Sequence, residues 1–169
     1  MTITRKNLDD LYQWAKNANL PTRKAPTAEE YSNIPIQYCW IKGESRSKTG
    51  DSTVKYIRKK LINDENIEEI YNNSDIIFSM YASFASGTKL GPHRDPNIYR
   101  EPYKRIQIPI SIPDNEKCYM IWKGETVHWT EGQPRVFEVM DYIHEGYNYS
   151  DYPMIFLFVD VKKNVEVEI

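Results

Sequence analysis

Three side chains in this sequence have the types and spacing to hold a metal ion. The stretch Gly91-Pro92-His93-Arg94-Asp95 sets an imidazole and a carboxylate two positions apart, and His144 follows much later in the chain. Side chains at i and i+2 of a strand share a face. His93 and Asp95 can therefore address one point from the end of a strand, with His144 supplied by a later strand. Two imidazoles and one carboxylate, leaving the opposite face open, form the ligand set of mononuclear non-haem Fe(II) oxygenases. A bidentate 2-oxo acid fills two of the open positions and dioxygen the third. Two of the only three histidines fall at these places. Spacing alone also suits a pair of hydrogen-bonded surface histidines, with Asp95-Pro96 opening a turn.

The elements that must position these residues are short strands. From Asp75 onward, Ile76 to Ala82, Lys104 to Ile112, Lys117 to Trp122, Thr126 to Trp129, Arg135 to Met140 and Met154 to Val161 read as strands. Turn residues lie between them at Pro113-Asp114-Asn115, Lys123-Gly124-Glu125 and Glu131-Gly132-Gln133-Pro134. His144 follows the last of these before Met154. Strands spaced this closely, without intervening helices, predict an all-β sandwich or jelly roll rather than a parallel α/β sheet.

Upstream, Asn7 reads as the N-cap of a helix with Asp10 in its first turn and Leu8, Leu11, Tyr12, Ala15 and Ala18 on its apolar side. Leu20-Pro21 ends it. Pro26 to Tyr31 reads as a short turn capped by Thr27, Ile36 to Ile41 as a strand, and Gly43 to Asp51 as a loop. A second helix, Val54 to Ile62, and a further turn at Ile67 to Tyr71 complete this part. The expected architecture is mainly β: a double-stranded β-helix (jelly roll, cupin-like) with N-terminal helices packed on one outer face. It is expected to be a single domain over 1–169, with 1–74 as support and 75–161 as the core that carries the metal site.

One strand is especially informative. In Arg105-Ile106-Gln107-Ile108-Pro109-Ile110-Ser111-Ile112 every even position is isoleucine. Period two sends the isoleucines into one apolar layer and turns Arg105 and Gln107 to the other face. If that face lines the barrel interior, it offers a guanidinium and an amide to an acidic ligand; the alternative is a solvated polar face.

Composition narrows the setting. With 169 residues and a net charge of -2, the chain has length for a sizeable core and no global basic field. Nucleic acid and anionic membrane are not expected partners. No apolar run spans a bilayer, and Met1 to Lys6 lacks a signal-peptide core. The two cysteines, Cys39 and Cys118, sit in apolar or aromatic stretches and read as buried reduced thiols. A cytoplasmic protein is expected.

The stretch from Phe78 to Val161 resembles the aspartyl/asparaginyl β-hydroxylase family of Fe(II)- and 2-oxoglutarate-dependent dioxygenases. The matching pieces are Gly87-Thr88, Pro92-His93-Arg94-Asp95, Arg105 to Pro113, Trp129 to Gln133, Phe137, His144 with Asn148, and Ile155 to Val161. The resemblance implies His93, Asp95 and His144 as iron ligands, with Fe(II) and 2-oxoglutarate as cofactor and co-substrate. It also implies a free amino acid or an amino-acid side chain in a peptide as the group hydroxylated. Arg105 matches an arginine directed at a carboxylate of co-substrate or substrate, and Gln107 a polar position on the same strand face.

One departure from the family stands out. Its members place an arginine ten residues after the second ligand histidine, to clamp the distal carboxylate of 2-oxoglutarate; here that position is Met154. No Arg or Lys occurs between His144 and Val161, so a shift of alignment does not restore it. Arg105, Arg135, Lys104 and Arg94 are the candidates for a replacement, Arg105 first because its strand parity aims it inward. A second reading follows from Met154: a jelly-roll module that binds a metal or an acid without catalysis. His128, Trp122, Trp129, Phe137 and Phe156 read as structural residues, the charge run Arg58 to Glu69 as a solvated helix face, and Arg94 with the segment from Tyr99 to Tyr103 as a loop over the site.

Overall fold

The computed structural model describes residues 2–24, 31–43, 57–96 and 101–169. The expected turn at 26–30, the loop after Gly43, the start of the helix at Val54 and residues 97–100 lie outside the described residues.

Two antiparallel sheets face each other. The larger has the order β2 (Arg23–Lys24), β3 (Gln37–Lys42), β4 (Ile76–Phe84), β11 (Met154–Lys162), β6 (Tyr103–Ser111), β9 (Arg135–Phe137). The smaller runs β5 (Lys89–His93), β10 (His144–Asn148), β7 (Cys118–Trp122), β8 (Glu125–His128). From β4 to β11 the chain changes sheet at every step but the β7–β8 hairpin, which is the winding of a double-stranded β-helix. A short parallel pair, β1 (Thr2–Ile3) with β12 (Glu166–Val167), lies apart from both sheets.

The larger sheet builds a core on each face. On its outer face Cys39, Ile41, Ile106, Ile108, Ile110, Leu157 and Val159 pack against the helices. These are α1 (Arg5–Asn17), a helical turn at 57–60 and α2 (Glu65–Asn72). On its inner face Tyr38, Ala82, Phe84, Tyr103, Phe137, Phe156 and Phe158 meet Cys118, Met120 and Leu90 of the smaller sheet. Strand alternation divides the two sets. The helices lie on one outer face, as expected.

Several local expectations change. The N-cap of α1 is Thr4, and Asn7 is the other half of a capping box: Asn7 N–H donates to Thr4 Oγ1 at 3.1 Å and Thr4 N–H to Asn7 Oδ1 at 3.0 Å. Asp10 therefore stands past the first turn and pairs with Lys6 at 2.6 Å, while Ala18 is the C-cap and still packs against the apolar core. The strand expected at Arg135 to Met140 stops at Phe137, and the one expected through Trp129 stops at His128. His144 follows β9 and itself begins a further strand, β10.

The isoleucine layer of β6 also ends early. Ile106, Ile108 and Ile110 face the helices, but Ile112 belongs to the inner core. A register shift against β11 between Ile155 and Phe156 skips one residue of β6 and reverses the parity beyond it.

Cys39 and Cys118 are both free and fully buried, and burial pushes the Cys39 thiol up to about 12, Arg23 opposing only weakly. In the native protein neither thiol is expected to react with a disulfide reagent at mildly alkaline pH, and both are expected to react in guanidinium. Rapid native labelling of either would contradict the packing of β3 or β7.

Candidate metal centre

The smaller sheet brings the two histidines together through an irregularity in β5. Leu90 faces the inner core opposite Gly146, and alternation alone would turn His93, three positions later, outward. Between the pairs Gly146↔Leu90 and His144↔His93, β10 advances two residues and β5 three. The extra residue is a bulge at Gly91-Pro92, where proline costs no ladder hydrogen bond. It restores His93 to the inner face, and the two imidazole centroids stand 4.4 Å apart. Gly146 lets Leu90 pack closely here: a Cβ on it would come within 3.3 Å of Leu90 Cδ1, so the leucine would have to shift.

Asp95 lies just past the end of β5, its N–H donating to Val139 O at 2.9 Å. Its Oδ1 is 3.1 Å from His144 Nε2 and 3.5 Å from His93 Nε2. One donor atom from each of the three residues falls within 4.8 Å of the others. Each imidazole is oriented by its other nitrogen, His93 Nδ1–H donating to Gly91 O at 2.7 Å and His144 Nδ1–H to Tyr142 O at 3.0 Å. Carbonyls accept only, so both rings carry a proton on Nδ1 and turn Nε2 to the common point. Tyr31 stacks on His93 at 3.8 Å and 4°, and its carbonyl accepts from Gly91 N–H at 2.8 Å. Trp122 flanks His144 at 5.9 Å.

Behind the triad lies a buried ion network. Arg105 Nη1 donates to Asp95 Oδ2 at 2.6 Å, while Nε and Nη2 donate to the two oxygens of Asp160 at 2.7 and 2.9 Å. Asp160 is 0% exposed. Burial acts to raise the Asp95 carboxyl, but Arg105 and the two imidazoles outweigh it and hold the group well below the usual carboxylate range. Asp95 thus favours its ionised form, with one oxygen tied and the other turned to the histidines.

Residues 5–164 match the aspartyl/asparaginyl beta-hydroxylase family. The chain belongs to that family. A curated relative, the ornithine lipid ester-linked acyl 2-hydroxylase of Rhizobium tropici, is 30% identical over 86 residues, covering 50% of this chain and 29% of that protein. Less than a third of that relative's length is therefore matched. Among solved structures, a predicted oxalate decarboxylase from Thermotoga maritima aligns with a TM-score of 0.48 at 10% identity, covering 86% of this chain and 95% of that one. A cupin 2 conserved barrel domain protein from Salinispora arenicola gives 0.44 at 10% identity, covering 76% of each chain.

The other residues expected at the site divide into two groups. Arg105 and Gln107 face the barrel interior, as strand parity anticipated; Arg105 is engaged by Asp95 and Asp160, and Gln107 accepts from Trp129 Nε1 at 2.9 Å. Arg135 is exposed and pairs directly across from Gln107 on the edge strand β9. Met154 is 1% exposed in the inner apolar core. His128 stands away from the triad, its Nδ1 bonded to Asn115 O. Trp129, Phe137 and Phe156 are core residues, whereas Trp122 is half-buried beside His144.

Sequence reading missed Asp160 and Tyr31. Asp160 had a signal: one carboxylate within the apolar run of β11 requires a buried cation. Tyr31 had none, since its stacking depends on how the chain returns to β5.

Replacing Arg105 by methionine keeps the volume and strands two buried carboxylates. A stability loss of about 3–5 kcal/mol is expected from breaking a buried network on one side, read from urea unfolding of the metal-free protein. Arg105→Lys is not expected to restore it, because lysine cannot make the two-pronged contact. A loss below about 1 kcal/mol, the value of an exposed pair, would contradict the network.

Proposed function

We propose that this protein is a hydroxylase that uses Fe(II) and 2-oxoglutarate. One observation carries the reading: His93, Asp95 and His144 aim three donor atoms at one point, within 4.8 Å of one another. The donor set suits the metal. Two neutral imidazoles and one carboxylate oxygen occupy one face, each imidazole is fixed by a backbone carbonyl, and the carboxylate is fixed by Arg105. Bound there with a chelating 2-oxo acid, Fe(II) supplies the activation of dioxygen that oxidises a C–H bond, with succinate and carbon dioxide as the other products.

The protein's own part is positional. Asp95 stays ionised through its pairing with Arg105, so no proton competes with the metal for its free oxygen. The Nδ1–H bonds hold each imidazole in the tautomer that presents Nε2. Trp122, Phe137 and Phe158 set an apolar wall next to Arg105 and His144, which limits water and favours an aliphatic group beside the metal. The family name points to an amino-acid side chain as the group hydroxylated, and the Rhizobium relative's name to an acyl chain; both present aliphatic carbon. A small-molecule or peptidyl amino acid is the substrate class proposed, at a cytoplasmic site of action. No helix among the described residues is long and apolar enough to cross a membrane.

The deciding measurement is anaerobic titration of Fe(II), then 2-oxoglutarate, followed by visible absorbance. A charge-transfer band that forms in the wild type and is absent in His93→Ala is expected. Succinate release in air should then follow the same variant dependence. Tight iron binding with no band at millimolar 2-oxoglutarate would assign the chain to the non-catalytic reading that Met154 suggests.

A further inference from the structure

The barrel offers an acidic ligand two donors that the ion network does not use, one inside and one at its rim. Gln107 is 7% exposed, and Trp129 Nε1 donates to its Oε1 at 2.9 Å. Indole nitrogen can only donate, so the amide orientation is fixed and Nε2 is the end left over. It has no partner among the described residues. Directly across the β6–β9 ladder stands Arg135, and paired side chains on one face lie within contact reach. Its guanidinium rests near the ring of Phe137 at 5.9 Å and has no carboxylate partner among the described residues. Arg105, by contrast, already faces two carboxylates, and Met154 offers no charge.

We propose that Gln107 Nε2 and the Arg135 guanidinium together bind the distal carboxylate of the 2-oxo acid, in place of a cation at Met154. The inference rests on the reading of the site as an iron and 2-oxo acid centre. Spacing supports it. Gln107 lies two residues along β6 from Arg105, whose guanidinium touches Asp95; two strand residues span about 7 Å, comparable with a short dicarboxylic acid anchored at the metal by its other end. Chemistry supports it too: an amide N–H and a guanidinium are both donors, and a carboxylate accepts from each. Arg135 sits on the edge strand, so the acid's charged end is placed at the rim and its reactive end toward the triad.

The test compares two acids of equal length on the anaerobic Fe(II) protein, 2-oxoglutarate and 2-oxovalerate, the second lacking the distal carboxylate. Dissociation constants come from the charge-transfer band. The wild type is expected to prefer the diacid by at least about tenfold, the equivalent of one charge-assisted contact. Arg135→Met is exposed and leaves the core intact; it should abolish that preference while leaving 2-oxovalerate binding unchanged. Gln107→Glu keeps an acceptor for Trp129 and replaces the donor with a negative charge, so it should weaken the diacid more than the monoacid. Equal affinity for the two acids in the wild type, or a preference that survives both substitutions, overturns the proposal while leaving the iron and oxo-acid reading in place. Failure of both acids to give a band overturns the two together.

Discussion

The contact on which the site depends is the guanidinium of Arg105 held between Asp160 and Asp95. Asp160 sits in the middle of the larger sheet with no exposed surface, and a lone carboxylate there would be costly to ionise. Arg105 satisfies it through two parallel bonds and turns its remaining nitrogen to Asp95. The result is a rigid line from the sheet interior to the triad. It also sets the charge: one cation against two anions leaves the centre short of positive charge, which a divalent ion would supply. Pairing within the protein thus prepares the site without saturating it.

A sheet with a core on each face makes this possible. The helices cover the outer side of β6 and β11 with aliphatic residues, which frees the inner side for aromatic and polar ones. Two breaks in regular pairing then adjust what faces inward. The shift on β6 returns Ile112 to the inner core, and the bulge on β5 returns His93 to it. In both cases one extra residue does what alternation would forbid.

Much of this was legible in the sequence, and the limits have physical causes. The alternation in β6 announced its apolar layer and the inward Arg105 and Gln107, because period two is a strong signal over a long strand. The sequence Gly91-Pro92 hid β5, since both residues are depleted in strands, yet they form its bulge. β10, His-Glu-Gly-Tyr-Asn, lacks an apolar alternation because its inner positions hold His144, a glycine that admits Leu90, and Asn148. Asn148 instead anchors backbone carbonyls of Phe84 and Tyr152. Helix α1 was evident from Leu8, Leu11 and Ala15, but its start was misplaced because Thr4 and Asn7 are both good caps and here act reciprocally. The lone carboxylate in β11 signalled a buried cation, but that the cation is Arg105 could not be read from local pattern, since the two lie far apart in the chain.

The position of β5 at the margin of the smaller sheet has a thermodynamic consequence. Two of the three donors, His93 and Asp95, come from this last strand and its extension, whose far edge is bridged to residues 31–33, and the third from its inner neighbour. Marginal strands open more readily than central ones, in local fluctuations that leave the rest of the fold intact. An ion held by all three donors ties the margin to the interior, and its binding free energy adds to the cost of each such opening. Amide hydrogen exchange in β5 therefore becomes a gauge of occupancy, slowed in proportion to metal affinity, while the helices and the larger sheet exchange at a pace of their own.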